Sequence, residues 1–235
     1  MRLPGGPGAA HPGWRSTLPD MDRHERRQER SGSAAQAADW DARYSERDGA
    51  RWSGRPNGRL LAEVGTLTPG LALDVGCGEG ADAIWLARSG WTVTAIDISE
   101  VAVSRAREAA QRVGAAVEWV RGDALQTPFA AGSFDLVSLQ YPALPKAAGE
   151  AAVRALLETV RPGGLLVAVY HDLDDEHREH MKSHGTDPAD YFDADDLARL
   201  LGDAFTIELH ATRPRIDPPP DNPHIADVVL RARRR

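Results

Sequence analysis

The chain has little cysteine, no long apolar run and no excess of basic residues, and each absence excludes a class of protein. A single cysteine, Cys77, cannot form an internal disulfide framework and is typical of a protein from a reducing cytoplasm. No apolar run reaches the roughly 20 residues that span a bilayer, and the N-terminus lacks the apolar core of a signal peptide. The formal net charge of −7 disfavours a protein that tracks nucleic-acid phosphates. We therefore expect a cytoplasmic monomer or homodimer without a membrane or nucleic-acid partner.

Composition divides the chain into two parts. Residues 1–35 are rich in Gly, Pro, Ala and charge and poor in large apolar side chains, so burial cannot offset the entropy of ordering them. We predict a disordered tail there, with a basic interaction arm as the alternative, and a single folded domain over residues 36–235. Helical periodicity indicates helices within residues 36–68, the second of them capped by Asn57.

Short apolar runs alternate with helical segments from residue 71 onward, which predicts a parallel sheet covered by helices on both faces. The predicted strands are 71–75, 92–96, 117–120, 134–139, 165–170, 205–209 and 226–232; the predicted helices are 81–89, 99–114, 146–160 and one from 193 or 195 to 201. The last strand follows a loop too short for a crossover helix, so we expect it to pair antiparallel. Residues 171–196 form a long connection that is typical of a lid.

A glycine-rich turn, residues 76–80, joins the first strand to the following helix. Glycines there let the backbone turn tightly and let a ligand approach without a Cβ in the way. Asp97 ends the next strand, where a carboxylate accepts hydrogen bonds from a ribose diol. The pattern also satisfies the dinucleotide fingerprint, so a nicotinamide-dependent dehydrogenase is an alternative. Asp74 and Glu79 are poor neighbours for a diphosphate and favour a cationic ligand.

A third carboxylate follows the third strand in the run Gly122-Asp123-Ala124. There it can accept the exocyclic amine of an adenine while the Ala124 backbone reads the ring edge. Cys77 lies between two loop glycines with no paired base nearby in the sequence, so we interpret it as a small turn residue rather than a nucleophile.

These motifs resemble those of the class I S-adenosylmethionine-dependent methyltransferases over residues 40–233. The resemblance is carried by Leu73-Asp74-Val75-Gly76-Cys77-Gly78-Glu79-Gly80, Asp97, Gly122-Asp123, Ser133-Phe134-Asp135-Leu136-Val137 and Arg161-Pro162-Gly163-Gly164. It implies a doubly wound α/β fold with a seven-stranded, mostly parallel sheet of order 3-2-1-4-5-7-6, the last strand antiparallel, and N-terminal helices that cover the cofactor. It also implies S-adenosylmethionine as cofactor and S-adenosylhomocysteine as product. The runs at 40–44 and 52–57 are similar to the branch that includes tellurite-resistance and thiopurine methyltransferases.

The resemblance implies a cofactor role for a defined set of residues. Asp74 and the loop glycines would hold the methionine part, Asp97 the ribose and Asp123 the adenine. The full expected set is Trp40, Arg43, Tyr44, Trp52, Asp74, Gly76, Cys77, Gly78, Asp97, Ile98, Asp123, Ala124 and Gln140. The first four belong to the expected cover, and core packing is the alternative for the two tryptophans.

Candidate catalytic residues follow from the general position of ligands, which bind outside the carboxyl ends of the strands in such folds. This rule places Tyr141, His171 and His224 at the acceptor rim. The spacing of the other histidines after residue 171 does not supply a metal set, and we expect no metal. Because residues 171–196 are rich in Asp, Glu and His, we expect them to be a poor cradle for anionic acceptors.

The expected reaction is in-line displacement of a methyl group from a sulfonium, which needs alignment and exclusion of water more than covalent help. A soft acceptor needs no general base, whereas a hydroxyl or amine does. We expect a small-molecule acceptor, first a thiol or another soft heteroatom. The alternatives are O- or N-methylation of a phenolic or heteroaromatic natural product, and a cofactor-binding protein without turnover.

Overall fold

The computed structural model describes residues 23–46, 48–218 and 224–235. Its helices are α1 (Arg23–Ser45), α2 (Gly58–Val64), α3 (Ala81–Arg88), α4 (Glu100–Val113), α5 (Glu150–Leu157), α6 (Asp175–Ser183) and α7 (Ala194–Leu201). Its strands are β1 (Leu71–Val75), β2 (Thr92–Asp97), β3 (Val117–Arg121), β4 (Phe134–Gln140), β5 (Val160–His171), β6 (Phe205–Pro214) and β7 (Ala226–Arg234). No helix within these residues combines the length and the apolar character needed to cross a membrane.

The strands of the described segments form one sheet in the order β3-β2-β1-β4-β5-β7-β6. Neighbours from β3 to β5 pair parallel, and β7 pairs antiparallel with both β5 and β6. The predicted sheet order and the antiparallel last strand are therefore confirmed. Because β1 to β5 run parallel, their carboxyl ends meet at one edge of the sheet.

The central strands are buried on both faces, so their side chains alternate between two apolar layers. Leu73 and Val137 belong to the layer closed by α5 and α7. Their chain neighbours Ala72 and Leu136 belong to the layer closed by α2 and α3. Burial on both faces fixes the position at which each strand ends. It therefore also fixes the positions of the polar residues that follow the strands.

Helix α1 begins inside the segment that we expected to be a disordered tail. Residues 23–35 are helical, and residues 1–22 lie outside the described residues. Long-range contacts explain the difference: Asp41 Oδ1 accepts hydrogen bonds from Ser99 Oγ (2.6 Å) and Val101 N (3.2 Å) at the start of α4. Farther along the helix, Ser33 Oγ donates to Asp123 Oδ2 at 2.5 Å. These partners are distant in sequence, so composition did not indicate them.

One other segment differs from the prediction. The expected helix over 146–160 is a 3₁₀ turn followed by α5, because Gly149 at φ 82° breaks the helical path between them. Residues 171–196, the predicted lid-like connection, contain α6 and a second 3₁₀ turn. Their far end is attached to the chain after β4, where Phe192 N donates to Leu144 O at 2.9 Å.

Candidate cofactor and acceptor site

A cavity of about 900 Å³ lies at the carboxyl ends of the parallel strands. Its wall comprises the glycine turn, the ends of β2, β3 and β4, parts of α1 and α2, and the chain after β6. The expected site residues that line it are Trp40, Tyr44, Trp52, Gly76, Cys77, Gly78, Asp97, Ile98, Asp123, Ala124, Gln140, Tyr141 and His171. The structure therefore brings together most of the side chains selected from the sequence.

The glycine turn offers bare backbone to the cavity. Gly76 (φ +69°) and Gly78 (φ +52°) adopt left-handed conformations that residues with a Cβ disfavour. A Cβ on Gly76 would meet no atom within 4 Å, whereas a Cβ on Gly78 would lie 2.9 Å from Tyr44 Oη. Gly76 therefore leaves space for a ligand. The lack of a side chain at Gly78 allows Tyr44 to approach the turn.

Asp97 connects the glycine turn to α4. Its Oδ2 accepts from Gly78 N (2.8 Å) and its Oδ1 from Ser99 N (2.9 Å). Burial raises the pKa of Asp97, while these backbone N–H groups act in the opposite direction. Each carboxylate oxygen keeps a second lone pair, so Asp97 can hold the turn and also accept from a ribose diol.

Asp123 lies where the resemblance expects the adenine. Its Oδ1 accepts from Leu125 N (2.9 Å), and its Oδ2 accepts from Ser33 Oγ of α1. Ile98 and Ala124 line the same part of the cavity. Sequence reasoning missed Ser33, because it lies in the predicted tail.

Two buried carboxyl groups lie beside the glycine turn without a cation. Asp74 is 2% exposed, and its Oδ2 has no hydrogen-bond partner among the described residues. Burial, together with the charge of Asp82, raises the pKa of Asp74 well above its ordinary value. Asp82 accepts from Asn57 N at 2.6 Å, and burial raises its pKa to about 6. Asp82 lines the cavity, whereas Asp74, which was expected to contact the cofactor, does not, because its side chain is buried behind the turn. The acidic pair still places negative charge beside the turn, which fits a ligand with a positive charge.

Glu79 has a different role from the one expected. Its carboxylate accepts from the backbone N–H groups of Arg51 (2.9 Å) and Trp52 (3.0 Å) and pairs with the Arg105 guanidinium at 2.9 Å. Because Arg105 balances its charge, Glu79 contributes little to the attraction of a cationic ligand. It attaches the segment at 51–52 to the glycine turn.

The cover over the cavity consists of aromatic side chains from α1 and the segment after it. Tyr44 is buried, and its Oη accepts from Trp52 Nε1 at 3.3 Å. Trp40 and Tyr44 lie with ring centroids 6.0 Å apart. The expectation for Arg43 is not met: its guanidinium lies over the Trp40 ring at 5.0 Å, contacts Thr186 Oγ1 (3.4 Å), and does not line the cavity. Arg43 points outward because it is on the helix face that meets residues 171–196.

The predicted catalytic residues form one column of stacked rings. The ring centroids of Tyr141 and His171 are 4.0 Å apart, and those of His171 and His224 are 4.2 Å apart. Tyr141 Oη donates to Asp227 Oδ1 at 3.0 Å. Tyr141 and His171 line the cavity, but His224 lies behind His171 and does not reach it. His224 is therefore placed to support His171 rather than to touch an acceptor.

The protonation states at this end are set mainly by burial. Burial, helped by the charges of His224 and Arg215, lowers the pKa of His171 to about 3. Its Nδ1 has no hydrogen-bond partner among the described residues. Burial and Asp227 raise the pKa of Tyr141 above its ordinary value. At neutral pH the cavity thus presents a neutral imidazole and a protonated phenol.

A polar bridge joins the cover to the end of β4. Asn57 Nδ2 donates to Gln140 Oε1 (2.9 Å), and Gln140 Nε2 donates to Ser138 Oγ (3.1 Å). Asn57 is also the predicted cap of α2, with its Oδ1 accepting from Arg59 N. Its second role, like those of Asp82, Arg215 and Asp227, has no local sequence motif to indicate it.

Comparison with known proteins agrees with this geometry. Residues 72–164 match the protein family described as a methyltransferase domain. The matched segment runs from β1 into β5 and includes the glycine turn, Asp97, Asp123 and Tyr141.

Curated relatives match over part of their length. The chain is 46% identical over 72 residues to a release factor glutamine methyltransferase of Enterococcus faecalis, covering 30% of this chain and 26% of that protein. It is 38% identical over 120 residues to nocamycin O-methyltransferase of Saccharothrix syringae, covering 47% and 41%. The chain thus spans less than half the length of either relative.

Solved structures match over most of the chain. A structure from work on the conversion of a disulfide bond into a thioacetal group during echinomycin biosynthesis is 26% identical, with a TM-score of 0.65 and coverage of 85% of this chain and 91% of that one. Magnesium protoporphyrin IX methyltransferase of Synechocystis with bound S-adenosylhomocysteine (21%, TM-score 0.58, coverage 90% and 99%) shares the fold. So does TehB of Haemophilus influenzae (16%, 0.58, coverage 76% and 62%). The matched segment covers less than half of this chain; the strand order and the residues around the cavity agree with the resemblance to the class I S-adenosylmethionine-dependent methyltransferases.

Proposed function

We propose that the chain transfers a methyl group from S-adenosylmethionine to a small-molecule acceptor by in-line displacement. The observation that carries this proposal is the single cavity that joins two chemically different ends. One end has the bare glycine turn and Asp82, and the buried Asp74 carboxyl, whose Oδ2 has no hydrogen-bond partner among the described residues, lies just before the turn. The other has Tyr141 and the neutral His171. A cationic donor and an acceptor can therefore meet within one enclosed space.

The cofactor end has a group for each part of the expected cofactor. Asp97 would accept from the ribose diol, Asp123 with the Ala124 backbone would hold the adenine, and the acidic pair would receive the ammonium of the methionine part. When bound, S-adenosylmethionine supplies an electrophilic methyl group on a sulfonium. The chain contributes orientation and, through the aromatic cover of Trp40 and Tyr44, exclusion of water.

A sulfur acceptor is the first candidate. The structure that is 26% identical belongs to work on the conversion of a disulfide into a thioacetal, which supports sulfur chemistry in this cavity. A thiolate is a soft nucleophile and needs no general base once it is deprotonated. This choice is consistent with a cavity end that has one neutral imidazole and no carboxylate aligned on it.

A phenolic or heteroaromatic acceptor is the second candidate. His171 lines the cavity and stays neutral at physiological pH, as a general base must. The match to nocamycin O-methyltransferase supports an oxygen acceptor. The release factor glutamine methyltransferase match covers 26% of that protein, and we take it as support for the cofactor half alone.

The cofactor assignment is tested by calorimetric titration with S-adenosylmethionine, S-adenosylhomocysteine and NAD. We expect both sulfur nucleosides to saturate one site and NAD to give no heat. Saturation by NAD with no heat from either nucleoside would overturn the proposal in favour of a dehydrogenase.

The acceptor is tested with a panel of thiols, phenols, heteroaromatic amines and tellurite, read by release of S-adenosylhomocysteine. We expect His171→Asn to lower turnover of phenols or amines by about 10²–10⁴-fold and to leave thiol turnover much less affected, because only the former acceptors need a base. His184→Asn, on the exposed end of α6, is the matched control. Binding of the cofactor without product from any acceptor would favour a protein without turnover.

A further inference from the structure

The cavity has opposite electrostatic character at its two ends. The carboxyl groups described above surround the glycine turn, whereas Arg55 and Arg215 line the opposite end. Asp217 is the acidic residue of that end among the described residues; it is exposed, and its backbone carbonyl accepts from Arg55 Nη2 at 3.3 Å. His171 adds no charge at neutral pH because its pKa is lowered. The acceptor end therefore attracts negative charge.

Arg215 is positioned at the centre of this end. Its backbone N–H donates to Ile225 O (2.8 Å) where β6 ends, and its Cζ lies 5.1 Å from the centroid of the Tyr141 ring. Its Nη1 is buried and has no hydrogen-bond partner among the described residues. A buried guanidinium nitrogen without a partner is costly. A ligand group that accepts from it would remove that cost.

The nearest buried carboxyl does not satisfy Arg215. Asp227 is fully buried, does not line the cavity, and uses Oδ1 to accept from Tyr141 Oη. Burial raises the pKa of Asp227, while its hydrogen bond with Tyr141 and the charges of Arg215 and Arg59 act in the opposite direction, and no ion pair joins Arg215 to it among the described residues. Asp227 thus fixes the Tyr141 ring beneath Arg215 and leaves the guanidinium available to the cavity.

We propose that Arg215 binds a carboxylate of the methyl acceptor, so that the acceptor is a small organic acid. A planar guanidinium pairs with a carboxylate through two parallel hydrogen bonds. The exposed Asp217 at the rim disfavours a multiply charged phosphate. This assignment rests on the proposed function, because it concerns the acceptor end of the same cavity.

The proposal changes the expectation from the sequence that residues 171–196 make a poor cradle for an anionic acceptor. Of that segment only His171 lines the cavity, so its acidic residues do not face the acceptor. The positive charge comes instead from the chain after β6. No sequence pattern indicated that the segment after β6 lies against Tyr141.

The test compares acids with their methyl esters on the wild-type chain saturated with S-adenosylhomocysteine. The probes are 3-mercaptopropionate and 4-hydroxybenzoate, each beside its methyl ester, so that the thiol or phenol is constant within a pair. Binding is measured by calorimetry or ligand-detected NMR. We expect each acid to bind about tenfold or more tightly than its ester, and Arg215→Gln to reduce the difference to within about twofold. Arg215→Lys should retain part of it as a point charge.

Arg213→Gln is the matched control, because Arg213 is exposed on β6 and does not line the cavity. It should keep the full preference for the acids. Equal binding of acid and ester by the wild type, a preference undiminished in Arg215→Gln, or failure of both acids to bind at millimolar concentration would overturn the proposal. Failure of the wild type to bind S-adenosylhomocysteine would count against the proposed function instead. Unchanged S-adenosylhomocysteine affinity in Arg215→Gln shows that the variant is folded.

Discussion

The carboxylates around the glycine turn differ in function because they differ in their partners. Asp97 receives two backbone N–H groups, Glu79 receives backbone N–H groups and an arginine, and Asp74 keeps an oxygen without a partner. The first two hold the turn in shape. We propose that the third, with Asp82, attracts a cationic ligand. One residue type thus serves both the scaffold and the site.

Replacing Asp97 tests its contact with the ribose. We expect Asp97→Ala to weaken binding of S-adenosylhomocysteine by about 1–3 kcal/mol, because charge-assisted hydrogen bonds are lost. Calorimetry measures the affinity, and Asp203→Asn, on the exposed surface, is the control. Asp97→Asn should weaken binding less than Asp97→Ala, since an amide oxygen can still accept one hydrogen bond. An affinity unchanged in Asp97→Ala would contradict the ribose contact.

His171 makes the stability of the chain depend on pH. Its pKa falls from the ordinary 6.5 to about 3 in the folded chain, so between these values the unfolded chain binds a proton that the folded chain does not. Stability is therefore lost as the pH falls below 6.5, by up to about 1.4 kcal/mol per pH unit. The His171→Asn variant does not have this loss. As the pH falls from about 7.5 to about 5, the difference in free energy of unfolding between the variant and the wild type should therefore change in favour of the variant.

Chemical denaturation of both chains at the two pH values measures the effect. Asp82 acts with the opposite sign, because its raised pKa gives stability below about pH 6 that is lost as the pH rises. It is common to both chains and cancels in the difference. If the difference in free energy of unfolding is the same at both pH values, His171 is protonated at pH 5 in the folded chain as it is in the unfolded chain.

At the scale of elements, sequence reasoning succeeded where the signal is local. The predicted strand 71–75 matches β1 at both ends, and the predicted helix 99–114 corresponds to α4 with its caps Ser99 and Gly114. These boundaries follow from apolar runs and capping residues, which act over a few positions. The start of α1 could not be predicted, because its stabilising partners lie on α4 and after β3. Arg215 was missed for the same reason, since its neighbour Tyr141 is distant in sequence.

The attachment of the cover to the glycine turn is testable through Glu79. Glu79→Ala should destabilise the chain by about 3 kcal/mol, because it removes the acceptor of two backbone N–H groups and the carboxylate partner of a half-buried guanidinium. Denaturant unfolding measures the loss. Glu46→Ala is the control, because this exposed carboxylate pairs with Arg51 at 2.9 Å, and such pairs contribute less than about 1 kcal/mol.

The same variant should also bind S-adenosylhomocysteine more weakly, since Trp52 is no longer held beside Tyr44. The two effects have a common origin in the segment at 51–52. A Glu79→Ala chain as stable as Glu46→Ala would show that the cover is attached by other contacts.

At the scale of the whole molecule, the sheet order explains why the site exists where it does. Strands β1, β2 and β3 end at one edge, where the carboxyl groups lie that we propose for the cofactor. The reversal of β7 brings Asp227 beside Tyr141, and the connection between β6 and β7 brings Arg215 to the same cavity. The acidic residues and Arg215 thus come from opposite halves of the sheet, and a ligand that contacts both should stabilise the two halves together.

Hydrogen exchange of the full chain with and without S-adenosylhomocysteine tests which element covers the cofactor. Saturation at about 100 times Kd stabilises the folded chain by about 2.7 kcal/mol and suppresses local opening where the ligand is in contact. We expect slower exchange in the glycine turn, at the ends of β2 and β3, and in α1 from residue 36 onward, because these segments line the cavity. Helix α6 should be unchanged, since none of its residues does so.

The Asp97→Asn chain at the same ligand concentration is the control, and its protection should be smaller in every one of these segments. Protection concentrated in α6, with α1 exchanging as in the free chain, would assign the cover to residues 171–196 instead of the N-terminal helices that the resemblance implied. It would also show that Trp40 and Tyr44 pack in the core and do not cover the cofactor. Slower exchange of α1 together with the glycine turn would instead show that ligand binding stabilises the helix, because Ser33 and Asp41 attach it to Asp123 and Ser99, which follow the strand ends of the proposed cofactor site.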